Sequence, residues 1–353
     1  MLPRFKAAAV HAAPVFLDSR ATTEKAIAII REAAKTAAEL IAFPETYIPA
    51  FPVWAALWPP IDNHDLFVRM AEQSVLVDGP EVAQLCAEAR ALGVTVSIGI
   101  SERSPVSVGG LWNSNLLIGE TGEILVHHRK LVPTFYEKLV WSSGDGAGLA
   151  VAETRQGRIG GLICGENTNP LARFALMAQG EQVHISSWPP MWPTRRPAGG
   201  GNFDNVAANR IRASAHCFEA KVFGIVTAGY MDEPMRAFLI NRDRTIADVI
   251  DRTPRAASFF VDPTGVVFGD ELQDQEGIAY AEIDLNRCVE PKQFHDVVGY
   301  YNRFDVFDLT VDRSRLIPAR FRGEERPAME EDEATQPVDA DAVSSGQRRD
   351  GRS

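Results

Sequence analysis

The sequence predicts a layered α/β fold with mixed sheets, and three observations carry that expectation. Short apolar runs alternate with longer stretches of helical periodicity as far as about residue 310. Several of those runs come in pairs joined by tight-turn sequences such as Glu120-Thr121-Gly122-Glu123, which adds antiparallel neighbours to an otherwise parallel pattern. With 45% hydrophobic and 24% charged residues in a chain of 353, there is ample apolar material for a layered core.

In chain order, residues 7–12 read as a strand. Ile27, Ile30, Ala34 and Ala37 then fall at helical spacing with charges between them. Residues 40–43 form a short apolar strand that stops at Pro44-Glu45. A helix begins after Pro80 with Val82, Leu85, Ala89 and Leu92 on one face, and Gly93 leads from it into a strand over 94–100. Residues 111–118 and 124–128 pair across the turn at Gly122, and residues 149–153 and 159–164 across Arg155-Gln156-Gly157-Arg158. A helix over 171–179 feeds a strand over 182–186, and a longer one over 205–220 precedes a strand over 223–227. Strands at 258–261, 266–268 and 278–283 close the pattern, the first two separated by the turn Asp262-Pro263-Thr264-Gly265.

Residues 1–320 are thus expected to form one domain. Beyond it, residues 324–353 hold nine acidic and four basic residues, −5 of the chain's net −11, and almost nothing to bury. The tail, residues 321–353, is expected to be disordered because it cannot offset its ordering entropy.

The charge of −11 argues against nucleic acid as a partner, since no basic stripe could neutralise phosphates at scale. Cys86, Cys164, Cys217 and Cys288 are scattered without CxxC spacing, the pattern of reduced thiols instead of a disulfide framework or zinc site. His11, His184 and His295 lack partner spacing that suggests a metal. The start, Met-Leu-Pro-Arg-Phe-Lys, lacks the apolar core of a signal peptide, and no stretch is long and apolar enough to span a membrane. The expected location is cytoplasmic.

Three polar residues share one structural address, the carboxyl end of a strand, where α/β sheets bind ligands. Glu45 follows the strand at 40–43, Lys130 the strand at 124–128, and Cys164 ends the strand at 159–164. A thiol at such a strand end, followed by Gly165, is exposed among backbone N–H groups that can lower its pKa and stabilise an anion. Carboxylate, ammonium and thiol together supply a base, a cation and a nucleophile. Each has a plainer alternative: core packing for Cys164, a solvated charge run for His127-His128-Arg129-Lys130, a helix cap for Glu45. Trp54 and Trp58 are placed to line a substrate entrance. The stiff loop Trp188-Pro189-Pro190-Met191-Trp192-Pro193 is a pocket wall or an oligomer contact. Cys86, Cys217 and Cys288 read as small structural residues.

The blocks Phe43-Pro44-Glu45-Thr46-Tyr47-Ile48-Pro49, His128-Arg129-Lys130-Leu131-Val132-Pro133-Thr134 and Cys164-Gly165-Glu166-Asn167-Thr168-Asn169-Pro170 resemble the signature blocks of the nitrilase superfamily, in the family's order. The likeness extends through Glu137, residues 141–146, Ala178-Gln179-Gly180-Glu181-Gln182-Val183-His184 and a late segment at 299–306, and it is similar to the true nitrilase branch. The resemblance implies an α-β-β-α sandwich whose protomers pair to stack sandwiches, as a homo-oligomer (a dimer or a longer spiral). It implies Glu45, Lys130 and Cys164 as catalytic triad, Glu137 as supporting carboxylate, and Gly165, Trp188 and Trp54 around the anion site and pocket. The implied reaction is cysteine-dependent hydrolysis of a small nitrile to acid and ammonia through thioimidate and thioester, without a cofactor or metal. Release of an amide, as in a hydratase-like reaction, and amidase activity are alternatives at the same site; a catalytically silent filament or binding protein is the alternative of another class. Two positions depart from the family pattern: Gly165 stands where many nitrilases carry tryptophan, and Tyr300 where histidine is frequent.

Overall fold

In the computed structural model, residues 1–196, 199–202 and 204–319 are described. The expected tail, residues 321–353, lies outside the described residues. Within the compact unit Met1–Leu316, the strands in chain order are β1 (Arg4–His11), β2 (Ala38–Ala42), β3 (Thr95–Arg103), β4 (Leu111–Ile118), β5 (Ile124–Arg129), β6 (Ala152–Thr154), β7 (Gly157–Ile163), β8 (Val183–Trp188), β9 (Phe223–Ala228), β10 (Ser258–Val261), β11 (Val267–Leu272) and β12 (Gly277–Asp284). The helices are α1 (Ser19–Lys35), α2 (His64–Gln73), α3 (Pro80–Leu92), α4 (Pro170–Met177), α5 (Asn205–Ala220), α6 (Glu233–Arg242), α7 (Ala247–Arg252) and α8 (Val289–His295).

The strands form two six-stranded mixed sheets, ordered β12-β1-β2-β3-β4-β5 and β11-β10-β9-β8-β7-β6. Each has a parallel centre (β1-β2-β3 and β7-β8-β9) and antiparallel flanks. Strand alternation builds the layers, because successive side chains leave a strand on opposite faces. On β1, Phe5, Ala7 and Ala9 pack in a core shared with Val183 and Ile185 of β8 and Phe223 and Ile225 of β9, which places that core between the sheets. Ala8 and Val10 face the opposite way, into a core with Ile30 of α1 and Val82, Leu85 and Ala89 of α3. On the second sheet Val226 and Val261 turn outward against Ala213 and Cys217 of α5. The result is an α-β-β-α sandwich.

Helix ends follow local chemistry. The Asp18 side chain accepts from the Ala21 N–H and caps α1, while Gly93, at φ 64, ends α3 in the left-handed region. Two expectations need correction. Ala37 lies outside α1, because the backbone N–H and hydroxyl of Thr36 both close on Ala33 O and stop the helix at Lys35. The strand expected at 149–153 shrinks to β6, because the Leu149 N–H is used to close a 3-10 turn on Gly146 O. The closing strands divide between sheets: β10 and β11 edge the second, whereas β12 pairs antiparallel with β1 along its whole length. Helices α2, α6, α7 and α8 have no counterpart among the elements that the sequence predicts.

Candidate active site

The three strand ends singled out in the sequence meet at one place. Glu45 follows β2 in a loop that lies directly on β3. A Cβ on Gly99 would stand 2.3 Å from Thr46 N and 2.4 Å from Pro44 O, so only glycine in mid-strand lets that backbone approach. Lys130 comes one residue after β5; its N–H donates to Asn113 O at 2.8 Å, and its carbonyl accepts from Gly144 N–H at 2.8 Å. Cys164 comes directly after β7 and opens a 3-10 turn over Cys164–Thr168. Each loop contains a non-glycine residue in the left-handed region: Thr46 at φ 46, Phe135 at φ 51 and Cys164 at φ 50. Such residues cost about 1–3 kcal/mol each and persist where surrounding contacts over-determine them.

The Lys130 ammonium donates to Glu45 Oε1 at 2.7 Å and to Glu137 Oε2 at 2.6 Å, and all three side chains are buried. Asn113 Nδ2 donates to the same Glu45 oxygen at 2.7 Å, and the Thr134 N–H to Glu137 Oε2 at 2.9 Å. The second oxygen of each carboxylate, Glu45 Oε2 and Glu137 Oε1, has no hydrogen-bond partner among the described residues. One oxygen from each of Glu45 and Glu137 and the Cys164 sulfur lie within 4.8 Å of one another. Burial raises the Glu45 carboxyl to about 7, with Lys130 opposing and Glu137 adding to the rise. Burial also opposes the charge on Lys130, but Cys164, Glu137 and Glu45 together hold its pKa well above the ordinary lysine value.

Cys164 departs from the sequence expectation. Its sulfur is not exposed at the strand lip: the residue is 6% accessible, and burial followed by the Glu45 charge pushes the thiol well above its ordinary pKa, against Lys130. The resting group is therefore a thiol, which becomes a strong nucleophile only when a base takes its proton.

Two buried carboxylates brace the turn. Glu166 accepts from Leu131 N–H at 2.6 Å and Ile163 N–H at 2.8 Å and meets His128 Nε2 at 2.8 Å, tying the Lys130 segment to the Cys164 turn. Against its burial, His128 and these N–H groups keep the Glu166 carboxyl below its ordinary value. Asn167 Nδ2 donates to Leu162 O at 3.2 Å and Cys164 O at 3.0 Å. A trans peptide is planar, so anchoring the Cys164 carbonyl there turns the Gly165 N–H the opposite way. His184 Nε2 lies 2.8 Å from Asn167 Oδ1, Glu181 bonds His184 Nδ1 at 2.8 Å and His216 Nε2 at 2.6 Å, and the two imidazoles stack 3.6 Å apart. His184 thus has a hydrogen-bond partner on each ring nitrogen. Glu181 stands only three positions before it, a readable signal; His216 arrives from α5 and leaves none.

Ligand atoms of Glu181, His184 and His216 also lie within 4.8 Å of one another, a spacing compatible with a metal. Each carboxylate oxygen there is taken by an imidazole, and His184 spends its other nitrogen on Asn167, so hydrogen bonding accounts for the arrangement.

A cavity of about 40 Å³ opens beside the thiol, lined by Cys164, Gly165, Thr134, Trp188, Trp192 and Arg212 among others. A Cβ on Gly165 would stand 2.7 Å from Thr134 Oγ1, so the threonine hydroxyl occupies space that a larger residue at 165 would need. Trp54 is placed otherwise. It is buried in an apolar cluster with Phe51, Tyr136 and Trp141, and it does not line this cavity. Trp58 lines another cavity, of about 340 Å³. Tyr300 is exposed and lines neither. Sequence reasoning missed Thr134, Tyr136 and Arg212, which come near the thiol only through packing.

The family described as carbon-nitrogen hydrolase matches residues 6–293. The chain is 35% identical over 313 residues to Nitrilase 2 of an unknown prokaryotic organism, covering 88% of this chain and 94% of that one. It is 36% identical to an arylacetonitrilase of Hypocrea virens, covering 87% of this chain and 92% of the relative. Among solved structures, the C. elegans NitFhit protein superposes with a TM-score of 0.65 at 18% identity, covering 88% of this chain and 68% of that one, which supports the fold.

Proposed function

The chain belongs to the carbon-nitrogen hydrolase family, and on that premise we propose that it hydrolyses an organic nitrile to a carboxylic acid and ammonia, with Glu45, Lys130 and Cys164 as catalytic residues. The observation that carries the reading is a buried thiol beside a carboxyl group that burial pushes up to about 7 and that has one oxygen without a partner among the described residues, bridged by an ammonium. A group poised near neutrality can both take and return a proton during one cycle.

Glu45 takes the thiol proton as sulfur attacks the nitrile carbon, and the proton passes to the nitrile nitrogen, giving a thioimidate. Water adds to that carbon, losing its proton to Glu45. Glu45 passes that proton, and then the one left on the new hydroxyl, to the nitrogen, which leaves as ammonia as the thioester carbonyl forms. A second water, deprotonated the same way, releases the acid and restores the thiol. Lys130 and the Gly165 N–H stabilise the negative charge of the tetrahedral intermediates. Glu137 shares the ammonium, fixing its position and balancing its charge.

Two further expectations belong to the same proposal. Exposed Leu171, Phe304, Val306 and Phe307 line an open, largely apolar groove of about 1040 Å³, a surface suited to burial against a second copy in a homo-oligomer. Sedimentation analysis of the full chain checks this, and a monomer at all concentrations overturns it. A cytoplasmic location stays a proposal; among the described residues, no helix is long and apolar enough to cross a membrane.

The decisive experiment gives the purified chain a panel of nitriles and follows ammonia, acid and amide. Acid with stoichiometric ammonia is expected, and amide as the sole product sinks the hydrolase reading. Cys164→Ala should lower turnover at least about 10⁴-fold, as removing a covalent nucleophile does. Full turnover by that variant would refute the mechanism.

A further inference from the structure

The cavity beside the thiol and a second one lined by the residues next in sequence carry an unusual charge for this chain. Among the described residues that line them stand Arg212 in the inner cavity and Arg195 and Arg196 in the outer, and no aspartate or glutamate lines either. The chain as a whole has 47 acidic and 36 basic residues, so a lining with three cations and no acid runs against its composition. The two cavities are lined by consecutive residues, Thr134 and Trp192 on the inner one and Phe135, Tyr136, Pro193 and Thr194 on the outer.

Arg212 projects from α5 into the inner cavity, which it shares with Cys164. Its Nε donates to Thr168 Oγ1 at 2.7 Å, one Nη to Asn209 Oδ1 at 3.4 Å, and its guanidinium lies 5.3 Å over the Trp188 ring. All these partners are neutral. Among the described residues no carboxylate lies within ion-pair distance of it, whereas Arg31, Arg129, Arg236 and Arg242 each have one. A half-buried guanidinium without a counter-charge loses hydration and regains little of it. Burial accordingly lowers its pKa. The threonine, asparagine and indole orient the fork, and the remaining Nη has no hydrogen-bond partner among the described residues.

We propose that Arg212 is the recognition group for a carboxylate on the substrate, so that the preferred substrates are short nitriles bearing an anionic carboxylate. This rests on the nitrile hydrolysis proposed above. The cyano carbon sits at Cys164 and the carboxylate at Arg212. Because both residues line one cavity of about 40 Å³, the spacer between the two groups is short. Arg195 and Arg196 at the outer cavity draw anions inward, and Arg196 does so less because it also interacts with Asp243. The indoles of Trp188 and Trp192 cover the spacer.

The test compares 3-cyanopropanoate with its neutral near-isostere 3-cyanopropanamide, in the wild type and in Arg212→Gln and Arg212→Lys. Wild-type kcat/KM should favour the carboxylate at least tenfold, the effect of a charge-assisted hydrogen bond. In Arg212→Gln the ratio should collapse toward one, mainly through a higher KM for the acid, and Arg212→Lys should fall between. No wild-type preference, or an equal loss on both substrates in Arg212→Gln, overturns the proposal while nitrile hydrolysis stands. If neither compound is turned over, calorimetric binding of 3-cyanopropanoate to Cys164→Ala decides. Binding at least tenfold weaker when Arg212→Gln is added supports the anion site, and equal or undetectable binding overturns it. Circular dichroism melts of each variant separate these effects from unfolding.

Discussion

Two clusters of buried ionisable groups flank the Cys164 turn. The first comprises Glu45, Lys130, Glu137 and Cys164; the second comprises Glu181, His184 and His216. Both are removed from solvent, and both place carboxylates against potential cations. They differ in how much hydrogen-bonding capacity is left. In the second, each Glu181 oxygen is paired with an imidazole and only His216 Nδ1 lacks a partner among the described residues. In the first, Glu45 Oε2, Glu137 Oε1 and the neighbouring Tyr136 hydroxyl all lack one, and the thiol beside them opens on a cavity. The shifts follow. Despite burial, the charges of His184 and then His216 bring Glu181 down to about 2, whereas burial carries Glu45 up to about 7. Burial alone does not mark a reactive group; unspent acceptors beside open space do.

The sharpest way to break this contrast is Lys130→Met. It leaves Glu45 and Glu137 buried without their shared cation, so they are expected to hold protons and cease to act as bases. Turnover should fall more than about 10³-fold, and stability by about 3–5 kcal/mol in a denaturant titration, as for other broken buried pairs. Retained ammonia release would remove Lys130 from the site. Glu181→Gln should act the other way round. Replacing the carboxylate that holds two imidazoles costs about 1–3 kcal/mol of stability, while turnover per folded molecule changes less than about tenfold. A collapse of kcat in a fully folded Glu181→Gln protein would show that the second cluster shares in the chemistry.

The smallest effect is the pH dependence, where the two clusters have opposite signs. The Glu45 carboxyl is raised from 4.5 to about 7 in the folded chain, so the folded state holds the extra proton, and this group's contribution to stability declines as pH rises between those values. Glu181, lowered from 4.5 to about 2, contributes stability that is lost as pH falls through that range. His216 is lowered to about 4 from 6.5, chiefly by burial, and it also costs stability as pH falls through its window. Activity should rise with pH through about 7 as Glu45 ionises. Calorimetric melts from pH 4 to 8 on wild type and Glu45→Gln should show the first component vanish in the variant alone; an unchanged difference would remove Glu45 as its source.

Much of the site is legible in the amino-acid sequence. Local sequence determines where an apolar run must stop, and Pro44, the polar run from His127 to Lys130 and Gly165 each mark a strand end at a chemically able residue. The three blocks around Glu45, Lys130 and Cys164 also carry the family resemblance. Tertiary structure alone decided what those groups became. Cys164 is expected from its strand end to be exposed with a lowered pKa and is instead buried and raised, because the local chain fixes which atoms are present while the dielectric around them depends on distant segments. The sheet chosen by β12, the packing of Trp54 away from the cavity, the meeting of His216 with Glu181 and the approach of Arg212 to the thiol also depend on long-range packing, which leaves no periodic signature. The sequence determined the layers and the chemically able strand ends; only folding decided which buried groups would be left with unspent bonds.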